Sequence, residues 1–252
     1  MKTHWGLSGM ALSATLLYAL WPAPLPNVGL WQRTPVTKAD TITQTAPFEQ
    51  LARGGFDGTT TVEQLRRGAD FGMGTFTGLD GEMIMLDGVV YQAPSSGVLR
   101  VATDAEAIPF ATLTRFRPER SFVSPGTLAD FAALQAFLDS QMPDQSQILA
   151  VKAHGTFRTL KVRAPRKQAR PYPTLAEALK TQAIFEFPSV GGTLVGFRFP
   201  PYFGTVNSPG YHLHFVSDDR RIGGHVLELS AGAIVFSIET VEQYNVTMAP
   251  AD

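Results

Sequence analysis

The sequence predicts an α+β fold with more strand than helix, on three observations. Short apolar runs bounded by polar or glycine-bearing turns fill the last third of the chain. Capping signals that would open helices occur at only a few places. The 23 glycines and 18 prolines among 252 residues supply turns in number. Apolar residues make up 44% and charged residues 17%, the mix of a globular protein with a sizeable core. Lys plus Arg is 21 and Asp plus Glu is 22, so the net charge of -1 lacks the footprint of a nucleic-acid binder. With no cysteine, disulfides, thiol nucleophiles, zinc fingers and iron–sulfur clusters are excluded, and any metal must be held by His and carboxylates.

Met1 to His4 carry Lys2, an uncharged stretch runs from Trp5 to Trp21, and Pro22, Pro24 and Pro26 follow. A short basic start, an apolar run and a Pro-rich exit predict a secretory signal or signal anchor over residues 1–26. Cutting after Ala23 would leave Trp21 two residues before the break and Pro24 just after it, a poor site. The expectation is therefore a periplasmic or secreted protein whose N-terminal segment can stay on as a membrane anchor. Residues 27–47 are polar, rich in Thr, Gln and Pro, and without periodicity, which predicts a linker before a folded domain over 48–252.

Within that domain, Thr61-Val62-Glu63-Gln64 has capping-box spacing, and Gly68 is placed to close a short helix in the left-handed conformation. From Phe71 the runs become short and glycine-punctuated. Met83–Leu86, Val89–Gln92 and Val98–Ala102 read as strands, the first two joined by an Asp87-Gly88 hairpin turn. A helix is predicted from Thr127 to Pro143, with Leu128, Phe131, Leu134 and Leu138 on one face. Ile148–His154 and Thr156–Arg163 read as two strands paired around Gly155, and Thr174 to Glu177 as a second capping box opening a helix to about Thr181. Strands are then predicted at Ala183–Phe187, Thr193–Phe199, Tyr211–Val216, His225–Leu229, Ile234–Ile238 and Gln243–Thr247.

Of the five histidines, three fall between positions 212 and 225. In Tyr211-His212-Leu213-His214-Phe215 the two-residue period of a strand puts both histidines on one face. The polar run Ser217 to Gly224 follows, and a hairpin turning at Asp219 and Arg220 sets His225 across from His214. Three imidazoles on one face of a hairpin suit a zinc ion with an open coordination position. A histidine on a strand is otherwise a hydrogen-bonded core or surface residue, and an H-x-H pair arises readily by chance. The third histidine at hairpin distance favours the metal.

These residues also carry a family likeness. Gly192 to Phe197, Pro209 to Phe215 and Gly223 to Leu227 resemble α-acetolactate decarboxylase. Asp70-Phe71-Gly72-Met73-Gly74-Thr75-Phe76 with Leu79-Asp80-Gly81-Glu82 is similar to that family's first block, and Arg163 followed by Pro171-Tyr172 to its middle block. The likeness spans roughly residues 48–248 with the blocks in order. It implies a zinc (Zn2+) lyase that turns acetolactate into acetoin and carbon dioxide, with His212, His214 and His225 on the metal and Glu82 and Arg163 completing the site. It further implies two subdomains, with a boundary near 165–190 here, and a homodimer.

The implied chemistry agrees with the residue types. A metal that chelates the ketone and hydroxyl oxygens is a Lewis acid where an enediolate gathers charge. Arg163 can hold the departing carboxylate in a bidentate fork, and Glu82 can relay the proton to carbon. On the residues alone, Glu82 could equally be a solvated turn residue, and Arg163 part of a solvated basic face with Arg158, Lys161, Arg166, Lys167 and Arg170. The family pattern also has a further glutamate near its C-terminus, and nothing after Glu242 matches it. Two other readings are a cupin-like metal oxygenase or isomerase, and a non-catalytic metal-binding relative that holds small hydroxy acids. A cupin would want a glutamate about four residues after the second histidine, where this chain has Asp218 and an arginine-rich turn.

Overall fold

The computed structural model describes Met1 and residues 41–248, which fall, apart from Met1, within one unit spanning Thr37–Asp252. The expected signal or anchor segment and most of the expected linker lie outside the described residues. Among the described residues no helix is long and apolar enough to cross a membrane.

The elements run β1 (Thr41–Thr45), α1 (Phe48–Ala52), β2 (Thr60–Thr61), α2 (Val62–Gly68), β3 (Phe71–Thr75), β4 (Glu82–Leu86), β5 (Val89–Ala93), β6 (Arg100–Val101), β7 (Ala107–Ile108), β8 (Phe110–Thr114) and β9 (Arg120–Val123). They continue with α3 (Phe131–Gln141), β10 (Ile148–Ala164), α4 (Leu175–Leu179), β11 (Ala183–Phe199), β12 (Gly210–Ser217), β13 (Gly223–Val241) and β14 (Gln243–Thr247). A seven-stranded sheet has the order β14-β1-β8-β3-β4-β5-β6, mixed because β1 and β14 pair in parallel. A five-stranded sheet has the order β10-β11-β12-β13-β9, and β10 also pairs with β13, so its four long strands curl round on themselves. The strand-rich α+β expectation holds.

Strand periodicity explains how the two sheets meet. In β4, Ile84 and Leu86 join a core that includes Val195, Phe197 and Val216 of the second sheet. Met83 and Met85 alternate with them and pack on the other face with Val62 and Leu65 of α2. In β12, Leu213 and Phe215 enter a third core under α3, while Val216 faces the first sheet. Alternation from Ile84 and from Val216 therefore aims Glu82, His212 and His214 into the space between the sheets.

Several boundaries differ from the expectation. The chain is already in a strand at Thr41–Thr45, so the linker ends before residue 41 rather than at 47. Pairing with β8 and β14 outweighs the polar composition, because Thr is a good strand former and Ile42 is fully buried. Helix α3 starts at Phe131, with the Asp130 carboxylate accepting from the Ala133 amide at 2.7 Å, and Leu128 instead pairs with Ala231. Helix α2 has its capping box, but it ends on an extended Ala69 and Gly68 is not left-handed.

The largest difference is strand length. Gly155 does not turn the chain; β10 runs straight through it, because a Cβ there would meet Ile234 at 2.3 Å. The breaks expected near 188–192 and 230–233 are likewise absent, and β11 and β13 are single strands of 17 and 19 residues. The Asp87-Gly88 turn is present, with φ of 51° and 79°, the signature of a type I′ hairpin.

Candidate metal centre

His214 and His225 are direct register partners across β12 and β13, as the hairpin reading required. His212 Nε2 lies 3.0 Å from His225 Nδ1, and one potential ligand atom from each of the three rings falls within 4.8 Å of the others. His214, 1% exposed, donates from Nδ1 to the Met83 carbonyl at 3.0 Å. That bond fixes the tautomer and leaves the Nε2 lone pair facing the site. His214 Nε2 and His212 Nδ1 are buried without a hydrogen-bond partner. Buried polar atoms rarely stay unpaired, and a cation is the partner that lone pairs of neutral imidazoles fit.

Electrostatics point the same way. Burial, reinforced by the positive charge of Arg163, pushes His212 down to about 3. Burial likewise holds His214 and His225 well below the ordinary histidine value, with neighbouring imidazoles and Arg163 adding to it. All three rings are therefore neutral at neutral pH, the form that ligates a metal.

Glu82 and Arg163 come from different sheets and meet beside the histidines. Glu82 opens β4, and its Oε2 is 3.6 Å from His214 Nε2. Its Oε1 is 3.9 Å from Arg163 Nε. Burial pushes the Glu82 carboxyl up to about 7 against the pull of Arg163. Arg163 sits on β10 opposite His225. Its basic neighbours behave as a solvated run does, Lys167 pairing with Asp80 and Arg170 with Asp57 at the surface, while Arg163 alone turns inward.

The backbone is shaped for this. Between Lys161 and Val162 the β10–β13 register slips, leaving Leu227 without a partner. Gly224, at φ +153° beside His225, lies so close to β10 that a Cβ would meet the Arg163 carbonyl at 2.8 Å.

All five predicted site residues line one cavity of about 280 Å³. Its remaining wall is mostly apolar, and that wall was not visible beforehand. Phe48 and Leu51 of α1 face it together with Leu175 and Leu179 of α4, and Phe110 and Leu79 add to it. A helix is expected from Thr174 to about Thr181 but none over Phe48–Ala52, and nothing in the sequence says that the two meet over the histidines. Gln182 was also missed; its Oε1 accepts from Arg163 Nη1 at 3.3 Å.

Comparison with known proteins identifies the family. Residues 42–252 match the family profile of alpha-acetolactate decarboxylase. The chain is 42% identical over 191 residues to the alpha-acetolactate decarboxylase of Methanosarcina mazei, covering 76% of this chain and 66% of that protein. It is 35% identical over 252 residues to that of Brevibacillus brevis, covering 98% of this chain and 86% of the relative. The crystal structure of the Bacillus subtilis alpha-acetolactate decarboxylase superposes with a TM-score of 0.81 at 31% identity, over 84% of this chain and 90% of that one. The chain belongs to the alpha-acetolactate decarboxylase family.

Proposed function

We propose that this protein decarboxylates 2-acetolactate to acetoin and carbon dioxide with a zinc ion held by His212, His214 and His225. One observation carries the reading: three neutral imidazoles, one guanidinium and one carboxyl group line a single cavity in a member of this family. When bound, the ion supplies a Lewis acid for the negative charge that develops on the ketone oxygen as carbon dioxide leaves. Zinc suits a set of three imidazoles with an open position, since it favours low coordination numbers and nitrogen donors.

The chain's own residues have separate tasks. Arg163 binds the carboxylate through its planar fork and orients the bond that breaks. Glu82 stands next to both Arg163 and His214 and delivers a proton to the carbon that has lost carbon dioxide. The apolar side chains of α1 and α4 keep water from competing for that carbon and strengthen every charge interaction inside.

Turnover of racemic acetolactate, followed as acetoin, tests the reading directly. Activity should vanish with a chelator and return with zinc. A purified, metal-loaded protein that produces no acetoin would overturn it.

A further inference from the structure

We propose that Gln182 is a positioning residue that aims Arg163 at the substrate carboxylate. The inference rests on the decarboxylase reading of the same cavity and goes beyond it by naming what orients the guanidinium.

Arg163 is partly buried and has few partners. Its Nη1 donates to Gln182 Oε1 at 3.3 Å, and its Nε is buried without a hydrogen-bond partner, 3.9 Å from Glu82 Oε1. A guanidinium offers a carboxylate two edges, one made by Nε and Nη2 and one by the two Nη groups. Engagement of Nη1 by Gln182 draws on the second edge and leaves the Nε edge, beside Glu82, without a hydrogen-bond partner and so available to an incoming carboxylate.

The residue type at 182 matters as much as its place. A carboxylate there would pair with Arg163, neutralise it and compete with the substrate. Glu82 already presents one carboxyl group to the guanidinium, so a second would leave Arg163 outnumbered. A neutral amide can hold Nη1 without taking the charge.

Gln182 is also held in the right place. It follows α4, its amide donates to the Leu179 carbonyl at 3.3 Å, and Arg166 Nε donates to the neighbouring Thr181 carbonyl at 2.8 Å. The segment leading to α4 is tied to the loop between β3 and β4 by Gln168, whose amide donates to the Gly78 carbonyl at 2.7 Å, and by the Lys167–Asp80 pair. The wall that carries Leu175 and Leu179 into the cavity thus carries Gln182 to Arg163.

The test compares two ligands on the metal-loaded protein. One is 2-hydroxy-2-methylbutanoate, which keeps the hydroxyl and carboxylate but has no ketone to drive decarboxylation. The other is 3-hydroxy-3-methylbutan-2-one, which keeps the ketone and hydroxyl and has a methyl in place of the carboxylate. Gln182→Met preserves volume and removes the acceptor; it should weaken the acid about tenfold and leave the ketone within about twofold. Gln182→Glu should weaken the acid further still, again sparing the ketone. In turnover, Gln182→Met should raise KM more than it lowers kcat. Equal weakening of both ligands, or no weakening of either, in variants that melt like the parent would overturn the proposal. Failure of the parent protein to turn over acetolactate would instead overturn the decarboxylase reading, while the acid-against-ketone comparison would still report on Gln182 and Arg163.

Discussion

Arg163 and His225 face each other across the β10–β13 ladder only because β13 holds one residue too many. Lys161 pairs with Glu228, and an unbroken register would then set Arg163 against Val226. Since strand side chains alternate, His225 would then point to the opposite face of the sheet. The bulge at Leu227 moves His225 onto the face of Arg163, and the hairpin does the same for His214. Arg163, His225 and His214 so form one row across three strands, with the positive group at its end.

That row turns Arg163 into the cavity beside Glu82, which suits the role proposed for it with a carboxylate. Arg163→Lys should lower kcat/KM by a factor of at least about 10², or roughly 2.7 kcal/mol, because an ammonium cannot reproduce the planar fork. Steady-state kinetics with acetolactate measure it. Near-normal values would return Arg163 to the solvated basic run from which it comes.

Metal content is the second expectation. The protein should bind about one zinc per chain through the three imidazoles. His214→Ala removes the ring whose tautomer is set by the Met83 carbonyl, and should strip the ion. Elemental analysis decides; full retention of zinc in that variant would disprove the ligand set.

Much of this site was legible from spacing alone. Histidines two apart on a strand share a face whatever the fold, and the polar run between Ser217 and Gly224 had the length of a hairpin turn, so His212, His214 and His225 could be brought together on paper. Glu82 and Arg163 could not be, because they sit on different sheets and only the family likeness joined them. The strand breaks were misplaced for a related reason. A glycine reads as a turn locally, whereas Gly155 answers to Ile234, a residue 79 positions away. The apolar roof depends on the meeting of α1 and α4, which are more than 120 residues apart in the chain. Local pattern carries no record of such encounters.

We propose that the basic start and the apolar run from Trp5 to Trp21 direct export, after which the segment is either kept as a membrane anchor or removed. Cell fractionation should find full-length protein with the membranes, or a shortened form soluble outside the cytoplasm. Full-length protein in the soluble cytoplasm would contradict both.

The metal-free protein should lose stability as the pH falls from about 6.5 toward 5. In the unfolded chain each histidine titrates near its ordinary 6.5, while in the fold burial keeps His212 at about 3 and His214 and His225 well below the ordinary value. Below 6.5 the unfolded state therefore binds up to three protons that the folded state refuses, and stability rises with pH through that window. Glu82 acts in the opposite sense, since its folded pKa of about 7 lies above its ordinary 4.5. Three groups oppose one, so the histidines set the sign. The thermal midpoint of chelator-treated protein, measured at steps between pH 7.5 and 5, should fall with acid. A flat or rising profile would mean that the rings take up protons inside the fold.

Glu82 carries the last prediction. It lies within 4 Å of both Arg163 and His214, so charge, proton transfer and metal ligation are all within its reach. Glu82→Gln separates them. The amide keeps the size and one acceptor oxygen but cannot cycle a proton. If Glu82 delivers the proton to carbon, the variant should keep its zinc and still bind 2-hydroxy-2-methylbutanoate, yet lose roughly two to four orders of magnitude in kcat, the usual worth of a positioned acid or base. A parallel fall in zinc content would make Glu82 a ligand first. Normal turnover would assign the proton to another group in the cavity. The three measurements together, zinc, analogue binding and kcat, are needed because Arg163 and His214 each respond to the charge that the substitution removes.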